Sequence, residues 1–332
     1  MKKYVAYGIG AALVDTEIKV QDAELAQMNV EKGLMTLVDE DRRRELLDHL
    51  KGHLIKASHA SGGSAGNSMI ATAQFGGPTF MSCKVANDSD GDIYIADLEA
   101  AGVDHCLKGE RAAGTTGKCL VLITPDAERS MNTFLGISET LSIEQLDAGA
   151  IAASEYVYLE GYLVTSPTGR AAAIKAREIA EAAGVKTALS FSDPGMVEFF
   201  RDGMTEIIGD RLNLIFCNED EALGWAQGDS LDVAVERLKA IADTFVITRG
   251  SDGALTFDGT ALVEIPAHKV HAVDTNGAGD MFAGAFLYAI TKGEDFPTAG
   301  RFASLAAGKV VANYGPRLPA EDYRALRSEF FG

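Results

Sequence analysis

The length, composition and charge of this chain limit the kind of protein it can be. Its 332 residues are 47% hydrophobic, which is enough to bury a large core in one large domain or two. The formal net charge of −18 argues against nucleic acid or an anionic membrane as a partner, because either would need a basic face. We therefore expect a small-molecule partner.

The apolar run at residues 4–14 is predicted to be a buried first strand. Gly8 and Gly10 interrupt it, it continues directly into Asp15, and no small-residue cleavage site of a secretion signal follows. No apolar run has the length needed to span a membrane, so we expect a cytoplasmic protein. The four cysteines are scattered, without the paired spacing of a zinc site or a disulfide framework.

Short apolar runs alternate with helical patterns through most of the chain. Strands are predicted at residues 4–9, 79–84, 156–160, 187–191, 214–217 and 245–248, and helices at 169–183 and 231–242. This alternation predicts a mostly parallel sheet covered by helices on both faces. Ligands of such sheets bind beyond the carboxyl ends of the strands, so functional residues are expected there.

Two segments depart from the alternation. Residues 16–38 and 112–137 contain β-like pieces, for example at 117–123 and 130–135, and no helix is predicted between these pieces. A helix is predicted within residues 39–57 and is expected to return to the core. Its apolar face carries Leu46, Leu47, Leu50 and Leu54.

The most informative stretch is the run Asp-Thr-Asn-Gly-Ala-Gly-Asp that ends at Asp280 and precedes a helical pattern. From Asn276 onward the side chains of Gly277, Ala278 and Gly279 are so small that backbone N–H groups can approach an anion. The start of a helix adds unpaired N–H groups and the positive end of its dipole. Asp280 beside such a site suits a base in phosphoryl transfer. An ordinary tight turn before a helix explains the spacing equally well.

Polar residues near the N-terminus form a second candidate group. The carboxylate of Asp15 can accept hydrogen bonds from two adjacent hydroxyls, as in a ribose, although Asp is also an ordinary strand-end residue. Gly62, Gly63 and Ser64 allow close backbone approach, and Asn67 offers both a donor and an acceptor. The alternative is a flexible turn before a helix.

A third candidate pair, Asn218 and Glu221, follows the predicted strand at 214–217. Amide and carboxylate side chains there can hold Mg²⁺ through the waters that this cation retains. The acidic residues could equally belong to the first turn of a helix, where they complement the dipole.

These three groups resemble the signatures of the ribokinase-like (PfkB) small-molecule kinases, in the order in which that family has them. The N-terminal signature is similar to residues 62–67, running on to 76–77; the Asn-x-x-Glu motif is similar to 218–221, and the C-terminal signature to 274–280. The resemblance covers nearly the whole chain. It implies a ribokinase-like three-layer α/β/α sandwich with a mostly parallel central sheet and a small β lid over the substrate.

In the division that the resemblance implies, the lid consists of residues 16–38 and 112–137. The α/β core with the nucleotide site consists of residues 1–15, 39–111 and 138–332.

The resemblance also implies an ATP-dependent kinase that uses ATP and Mg²⁺, with activation by K⁺ left open. Asp280 would be the general base, and Asp15, Gly63 and Asn67 would bind the acceptor's sugar. Arg129, in the second lid segment, would neutralise charge on the transferring phosphoryl group. Exposed pairing of Arg129 with a neighbouring acid is the alternative. The nucleotide side would be formed by Asn218, Thr248, Gly250, Gly253, Ala307 and Asn313, with Glu221 and Asn218 at the metal.

Within the family, the chain is more similar to adenosine kinases than to ribokinases. The similarity lies in the long stretch from residue 15 to 62 and in residues 160–167 and 189–200. The expected reaction is adenosine + ATP to AMP + ADP. Ala11 stands where adenosine kinases commonly have Asn, so a sugar kinase of the same family remains open. Candidates for an apolar slot around the base, which core packing would also explain, are Leu13, Leu37, Phe134 and Tyr162.

The sequence argues against two function classes outside the kinases. A sensor that binds a nucleoside without catalysis need not keep Asp280, so its presence argues against that class. An NAD-dependent oxidoreductase is suggested by Gly8 and Gly10 after a strand, but Leu13 occupies the third glycine position of the fingerprint. The sequence leaves a monomer and a dimer equally open.

Overall fold

The computed structural model describes residues 2–53, 55–56 and 61–332, and two sheets organise these residues. The strands in chain order are β1 Tyr4–Ile9, β2 Leu13–Lys19, β3 Met35–Leu37, β4 Ile55–Lys56, β5 Ser61–Gly62, β6 Thr79–Ser82, β7 Val103–His105, β8 Gly117–Ile123, β9 Arg129–Phe134, β10 Ser154–Glu160, β11 Lys186–Ser190, β12 Leu212–Asn218, β13 Ala242–Thr248, β14 Ala254–Phe257 and β15 Leu262–Ile265.

The main sheet has nine strands in the order β15-β14-β13-β12-β11-β10-β1-β6-β7. The pairs from β7 to β13 are parallel, and β14 and β15 add an antiparallel edge. Successive residues of its buried strands face opposite sides, so Ala6 and Tyr158 join one core cluster while Tyr7 and Leu159 join the other. The parallel sheet predicted from the alternation of strands and helices is confirmed.

Helices cover both faces of the main sheet, which completes the expected three layers. The helices in chain order are α1 Asp22–Gln27, α2 Glu40–His49, α3 Ser64–Gln74, α4 Ser89–Ala100, α5 Ala148–Ala152, α6 Pro167–Ala182, α7 Pro194–Phe199, α8 Arg201–Ile208, α9 Glu219–Ala226, α10 Leu231–Lys239, α11 Ala278–Thr291, α12 Phe296–Val311 and α13 Ala320–Phe331. Buried residues of α3, α4 and α11–α13 pack on one face, and those of α5–α10 pack on the other.

Local sequence explains where the long helices begin. Ser166 accepts a hydrogen bond from the backbone N of Gly169 at the start of α6, and Pro167 occupies the first helical position. Asp295 caps α12 in the same way through the backbone N of Thr298. The buried alanines of α6 then let the helix lie close to the sheet.

The second sheet, called the small sheet below, has the order β3-β9-β8-β2-β4, with β5 also paired to β2. One face carries the apolar residues Leu13, Cys119 and Val121, and the other carries Ile18 and Leu122. It contains strands from both segments that broke the alternation. Because β2 begins at Leu13, the small sheet also takes in the end of the segment 1–15.

Two expectations about this region were wrong. The segment 16–38 does contain a helix, the short α1, whose Leu25 is buried. The helix predicted within 39–57 ends at His49. Its Leu46 and the next residue after its end, Leu50, pack against the small sheet instead of the main core. An amphipathic pattern shows that a helix has a buried face but not which of two sheets it covers. Leu47 is partly buried there, and Leu54 lies outside the described residues.

Replacement of Leu46 by Ala tests this placement of α2. The side chain is fully buried in the cluster with Ile18 and Leu122, so its truncation should cost about 2–4 kcal/mol of local stability. Amide hydrogen exchange should become faster in β2 and β8 but remain unchanged in β11 and β12. Asp48→Ala, at an exposed position on the same helix, is the control. Faster exchange in the main sheet alone would contradict the placement.

Candidate active site

The start of α11 forms the floor of a large cavity at the carboxyl ends of the main strands. Gly277 adopts φ +73°, and a Cβ there would overlap Pro316, so the turn requires glycine. Nothing lies within 4 Å of the position that a Cβ would take on Gly279, so the backbone is open on that side. Asp274 is fully buried and accepts hydrogen bonds from the backbone N of Asn276 and of Gly315, both at 2.9 Å.

Asp280 is held from both sides in the first turn of α11. Its Oδ1 accepts a hydrogen bond from Ser64 Oγ at 2.6 Å, and its Oδ2 accepts one from Asn67 Nδ2 at 3.0 Å. Burial raises the pKa of this carboxyl, while the hydrogen bonds from Ser64 and Asn67 and the charge of Arg129 oppose the rise. Asn67 Oδ1 is buried without a hydrogen-bond partner, and its side chain lines the cavity. The pair therefore presents an oriented base and a free acceptor to a ligand.

Asp15, on β2, also lines the cavity, and only 7% of this residue is exposed. Burial and the nearby Glu17 raise its pKa to about 7, against the opposing charge of Arg317. Gly62 makes room for this carboxylate, since a Cβ on it would overlap the Asp15 side chain. Gly63, at φ +88°, begins α3 beside the backbone carbonyl of Ala11.

Arg317 is itself fixed by neighbouring groups. It forms an ion pair with Asp97 at 2.7 Å and donates a hydrogen bond to Ser61 Oγ at 3.3 Å. The segment 315–317 therefore lies close to two buried carboxylates, because Gly315 binds Asp274 and the charge of Arg317 acts on Asp15.

Glu160, at the end of β10, is a cavity residue that the sequence did not identify. It is 1% exposed, and its carboxylate accepts hydrogen bonds from the backbone N of Ala11 at 3.1 Å and of Ala65 at 2.8 Å. Burial raises its pKa to about 7, although both hydrogen bonds oppose this. Since Ala11 precedes β2 and Ala65 belongs to α3, Glu160 ties together the two segments that carry Asp15 and Asn67.

Asn218 and Glu221 form a reciprocal cap at the start of α9. The Asn218 side chain accepts from the backbone N of Glu221 at 2.8 Å, and the Glu221 carboxylate accepts from the backbone N and Nδ2 of Asn218, both at 2.9 Å. Burial raises the pKa of Glu221 to about 8, and the charge of Asp193 adds to the effect. Each carboxylate oxygen keeps a lone pair for a water molecule, and a cation would favour the ionised form. This donor set fits a hydrated divalent cation.

Arg129, the first residue of β9, faces the cavity among carboxylates. Its charge acts on Asp193, Glu221 and Asp280, and its Nε is buried without a hydrogen-bond partner. Within the described part of the chain, its guanidinium forms no ion pair. Asp126, an alternative partner considered from the sequence, is paired with Lys32 at 2.6 Å.

The other alternative partner, Glu128, instead accepts a hydrogen bond from the backbone N of Arg129. Arg129 therefore does not form the exposed ion pair with a neighbouring acid that was the alternative to a role in the site.

The cavity has a volume of about 630 Å³, which suits a small ligand. It brings together most of the site residues that the sequence predicted: Leu13, Asp15, Leu37, Gly63, Ser64, Asn67, Arg129, Tyr162, Asn218, Glu221, Thr248, Gly250, Asn276, Gly277, Ala278, Gly279 and Asp280.

Five predicted residues do not line this cavity. Gly62 packs directly against the Asp15 side chain. Gly253, at φ +89°, lies in the tight turn between β13 and β14. Phe134 is out of phase, because the lining residues of β9 alternate. Ala307 packs against the core, and Asn313 donates to the Lys309 carbonyl oxygen at 2.8 Å.

The structure adds residues that the sequence interpretation missed. Beyond Glu160 and Asp193, they form an apolar wall on the small sheet: Met35, Cys119, Met131 and Leu135. The period of two along β9, counted from Arg129, was the available signal for Met131 and Leu135. Nothing in the local sequence distinguishes Glu160 from an ordinary strand-end acid.

A buried carboxylate beside a helix N-terminus, opposite a second carboxylate, is an arrangement suited to the transfer of an anionic group to a hydroxyl. Comparison with known proteins identifies the family. Residues 33–322 match the pfkB family carbohydrate kinases, and the chain belongs to this family of phosphotransferases that act on hydroxyl groups.

Its relatives include both adenosine kinases and sugar kinases. Adenosine kinase of Saccharomyces cerevisiae is 28% identical over 94% of this chain and 96% of its own. The crystal structure of adenosine kinase from Sinorhizobium meliloti is 33% identical, with a TM-score of 0.92 over 98% of this chain and 99% of its own. That of a probable sugar kinase from Rhizobium etli is 31% identical, with a TM-score of 0.93 over 99% and 100%.

The chain is therefore a kinase of the adenosine kinase or ribokinase type. No helix within the described residues is long and apolar enough to cross a membrane.

The raised pKa of Glu160 predicts how stability depends on pH. The folded protein keeps this carboxyl protonated up to about pH 7, whereas the unfolded chain releases the proton near 4.5. The folded state binds more protons between these values, so the contribution of Glu160 to stability falls as the pH rises through that window. The fall in melting temperature from pH 5 to pH 8 should be smaller in Glu160→Gln than in the wild type. Equal falls in the two proteins would refute the assignment.

Proposed function

We propose that this chain transfers the γ-phosphoryl group of ATP to the primary hydroxyl of a nucleoside, with adenosine as the expected acceptor. The observation that carries the proposal is the placement of Asp280, which Ser64 and Asn67 hold at the start of α11 in the same cavity as Asp15. The products would be AMP and ADP.

In the proposed reaction, the acceptor's ribose lies between Asp15 and Asn67. The Asp15 carboxylate accepts from the two adjacent ribose hydroxyls. Asn67 lines the same space and keeps Asp280 oriented toward the third, primary hydroxyl. Asp280 takes the proton of the primary hydroxyl as that oxygen attacks the γ-phosphorus. The bond from the γ-phosphorus to the leaving oxygen of ADP breaks in the same displacement.

The remaining residues would stabilise charge on the transferring group. The backbone N–H groups of Gly277 and Gly279 would face the phosphoryl oxygens, since those of Asn276 and Ala278 are bonded to Asp274 and to the Thr275 carbonyl oxygen. The Arg129 guanidinium would approach from the small sheet, which acts as the lid. Asn218 and Glu221 would hold Mg²⁺ through water, and the ion would neutralise charge on the phosphates of ATP. Thr248 and Gly250 extend the cavity toward the nucleotide. Activation by K⁺ remains a prediction.

The apolar wall of the small sheet supports a nucleoside as the acceptor. Together with Leu13, the wall offers a surface for a base, which a free sugar does not need. Ala11 is the observation that favours a sugar kinase instead. It supplies no amide for the base, and its backbone N is already bonded to Glu160.

Turnover with a panel of acceptors tests the proposal directly. ADP release should be measured with Mg-ATP and adenosine, inosine, guanosine, cytidine, ribose and fructose, each with and without K⁺. We expect kcat/KM for adenosine to exceed that for ribose by about 10²-fold or more, because only adenosine buries a base against the apolar wall. Preference for a free sugar would contradict the nucleoside assignment but leave the mechanism intact.

Replacement of Asp280 by Asn tests the base. Loss of the proton acceptor should lower kcat by about 10²-fold or more, while ATP affinity, measured by calorimetry, should change little. Asp232→Asn, an exposed position on α10, is the matched control and should leave kcat unchanged. Near-normal turnover of the Asp280 variant would show that another group takes the proton.

A further inference from the structure

A turn of the small sheet is docked onto the loop that leads into α11. The turn joins β8 to β9 at residues 124–128, and most of it is exposed, yet Ala127 at its tip is only 3% exposed. The Ala127 carbonyl oxygen accepts hydrogen bonds from the Thr275 hydroxyl at 3.1 Å and from the Thr275 backbone N at 3.3 Å. One carbonyl therefore connects the two parts of the cavity.

The turn is shaped so that this carbonyl points toward Thr275. Ala127 adopts φ +66°, a left-handed conformation that costs a non-glycine residue free energy. Asp126 supports it, because its Oδ1 accepts from Thr124 Oγ1 at 2.6 Å and from the backbone N of Glu128 at 3.3 Å. Lys32 fixes the other oxygen of Asp126 at 2.6 Å. These contacts hold the strained residue in place.

Arg129 follows Ala127 by two residues, so the docked turn sets where β9 begins and where the arginine points. The Arg129 side chain has no ion pair within the described residues, and its Nε has no hydrogen-bond partner. On the other side of the contact, Thr275 lies between Asp274 and Asn276. The buried Asp274 carboxylate accepts hydrogen bonds from the backbone N of Asn276 and of Gly315, which anchors this loop. The loop side of the contact is therefore anchored independently of the turn.

We infer that Thr275 is a positioning residue: through the carbonyl of Ala127, its hydroxyl fixes Arg129 over the helix start where the phosphoryl group is transferred. This inference rests on the proposed function. It assigns Thr275 no contact with the reacting atoms and predicts that its effect on turnover requires Arg129.

A double-mutant cycle tests the inference. Thr275→Val keeps the side-chain shape and removes the hydroxyl, and it should lower kcat about tenfold, the effect of one hydrogen bond. The KM values for ATP and adenosine should change by less than about threefold, since binding of either does not require Arg129 to be fixed. Thr275→Ser, which keeps the hydroxyl, should stay within about threefold of the wild type. In an Arg129→Ala background, Thr275→Val should cost less than about twofold.

A second measurement needs no turnover. Amide hydrogen exchange of the peptide covering residues 124–129 should become faster in Thr275→Val. It should remain unchanged in Thr291→Val, which removes a hydroxyl bonded within α11 far from the turn.

The outcomes separate the two proposals. Equal losses of kcat with and without Arg129 would overturn the inference, and so would unchanged exchange in the turn. A wild-type protein that phosphorylates no acceptor would refute the proposed function instead, while the exchange comparison would still decide whether Thr275 holds the turn.

Discussion

The close approach of α3 and α11 is the contact on which the active site depends. A Cβ on Gly284 of α11 would lie 2.6 Å from the Ser68 carbonyl oxygen and 2.7 Å from the Ala71 Cβ of α3. Only glycine lets the two backbones meet in this way. Because the helices touch here, their first turns converge, and Ser64 and Asn67 of α3 can reach Asp280 of α11. The orientation of the Asp280 carboxylate is therefore set by packing more than a helical turn away from it.

The cavity concentrates carboxyl groups in a protein that is already strongly acidic. Asp15, Glu160 and Glu221 all have raised pKa values, and in each case burial is the largest cause. Burial of several carboxyl groups together costs free energy of folding, and such groups are expected at a functional site. Hydrogen bonds donated by ligand hydroxyls to Asp15 and a cation beside Glu221 would reduce this cost by stabilising the ionised carboxylates. Arg129 is the positively charged side chain that the small sheet contributes to the cavity.

Much of the fold and of the site could be predicted from the sequence, because both rest on short-range patterns. Alternating runs predicted the parallel sheet, and the residues from Asn276 to Asp280 predicted the helix start that lines the cavity. Errors arose where a decision depended on phase or on distant partners. Phe134 lies one position from the lining residue Leu135, and a shift by one residue reverses the face of a strand. Glu160 acts through backbone groups far along the chain, and no spacing in the sequence shows that.

The segment 315–317 has a consequence for how the protein is made. Gly315 binds Asp274, Pro316 packs against Gly277, and Arg317 lies near Asp15. All strands of the main sheet precede this segment in the chain. During synthesis, the strands of the main sheet therefore leave the ribosome before Asp274 and Asp15 have their final neighbours from this segment. The surroundings of these two carboxylates would therefore be completed only after the strands of the scaffold have been made.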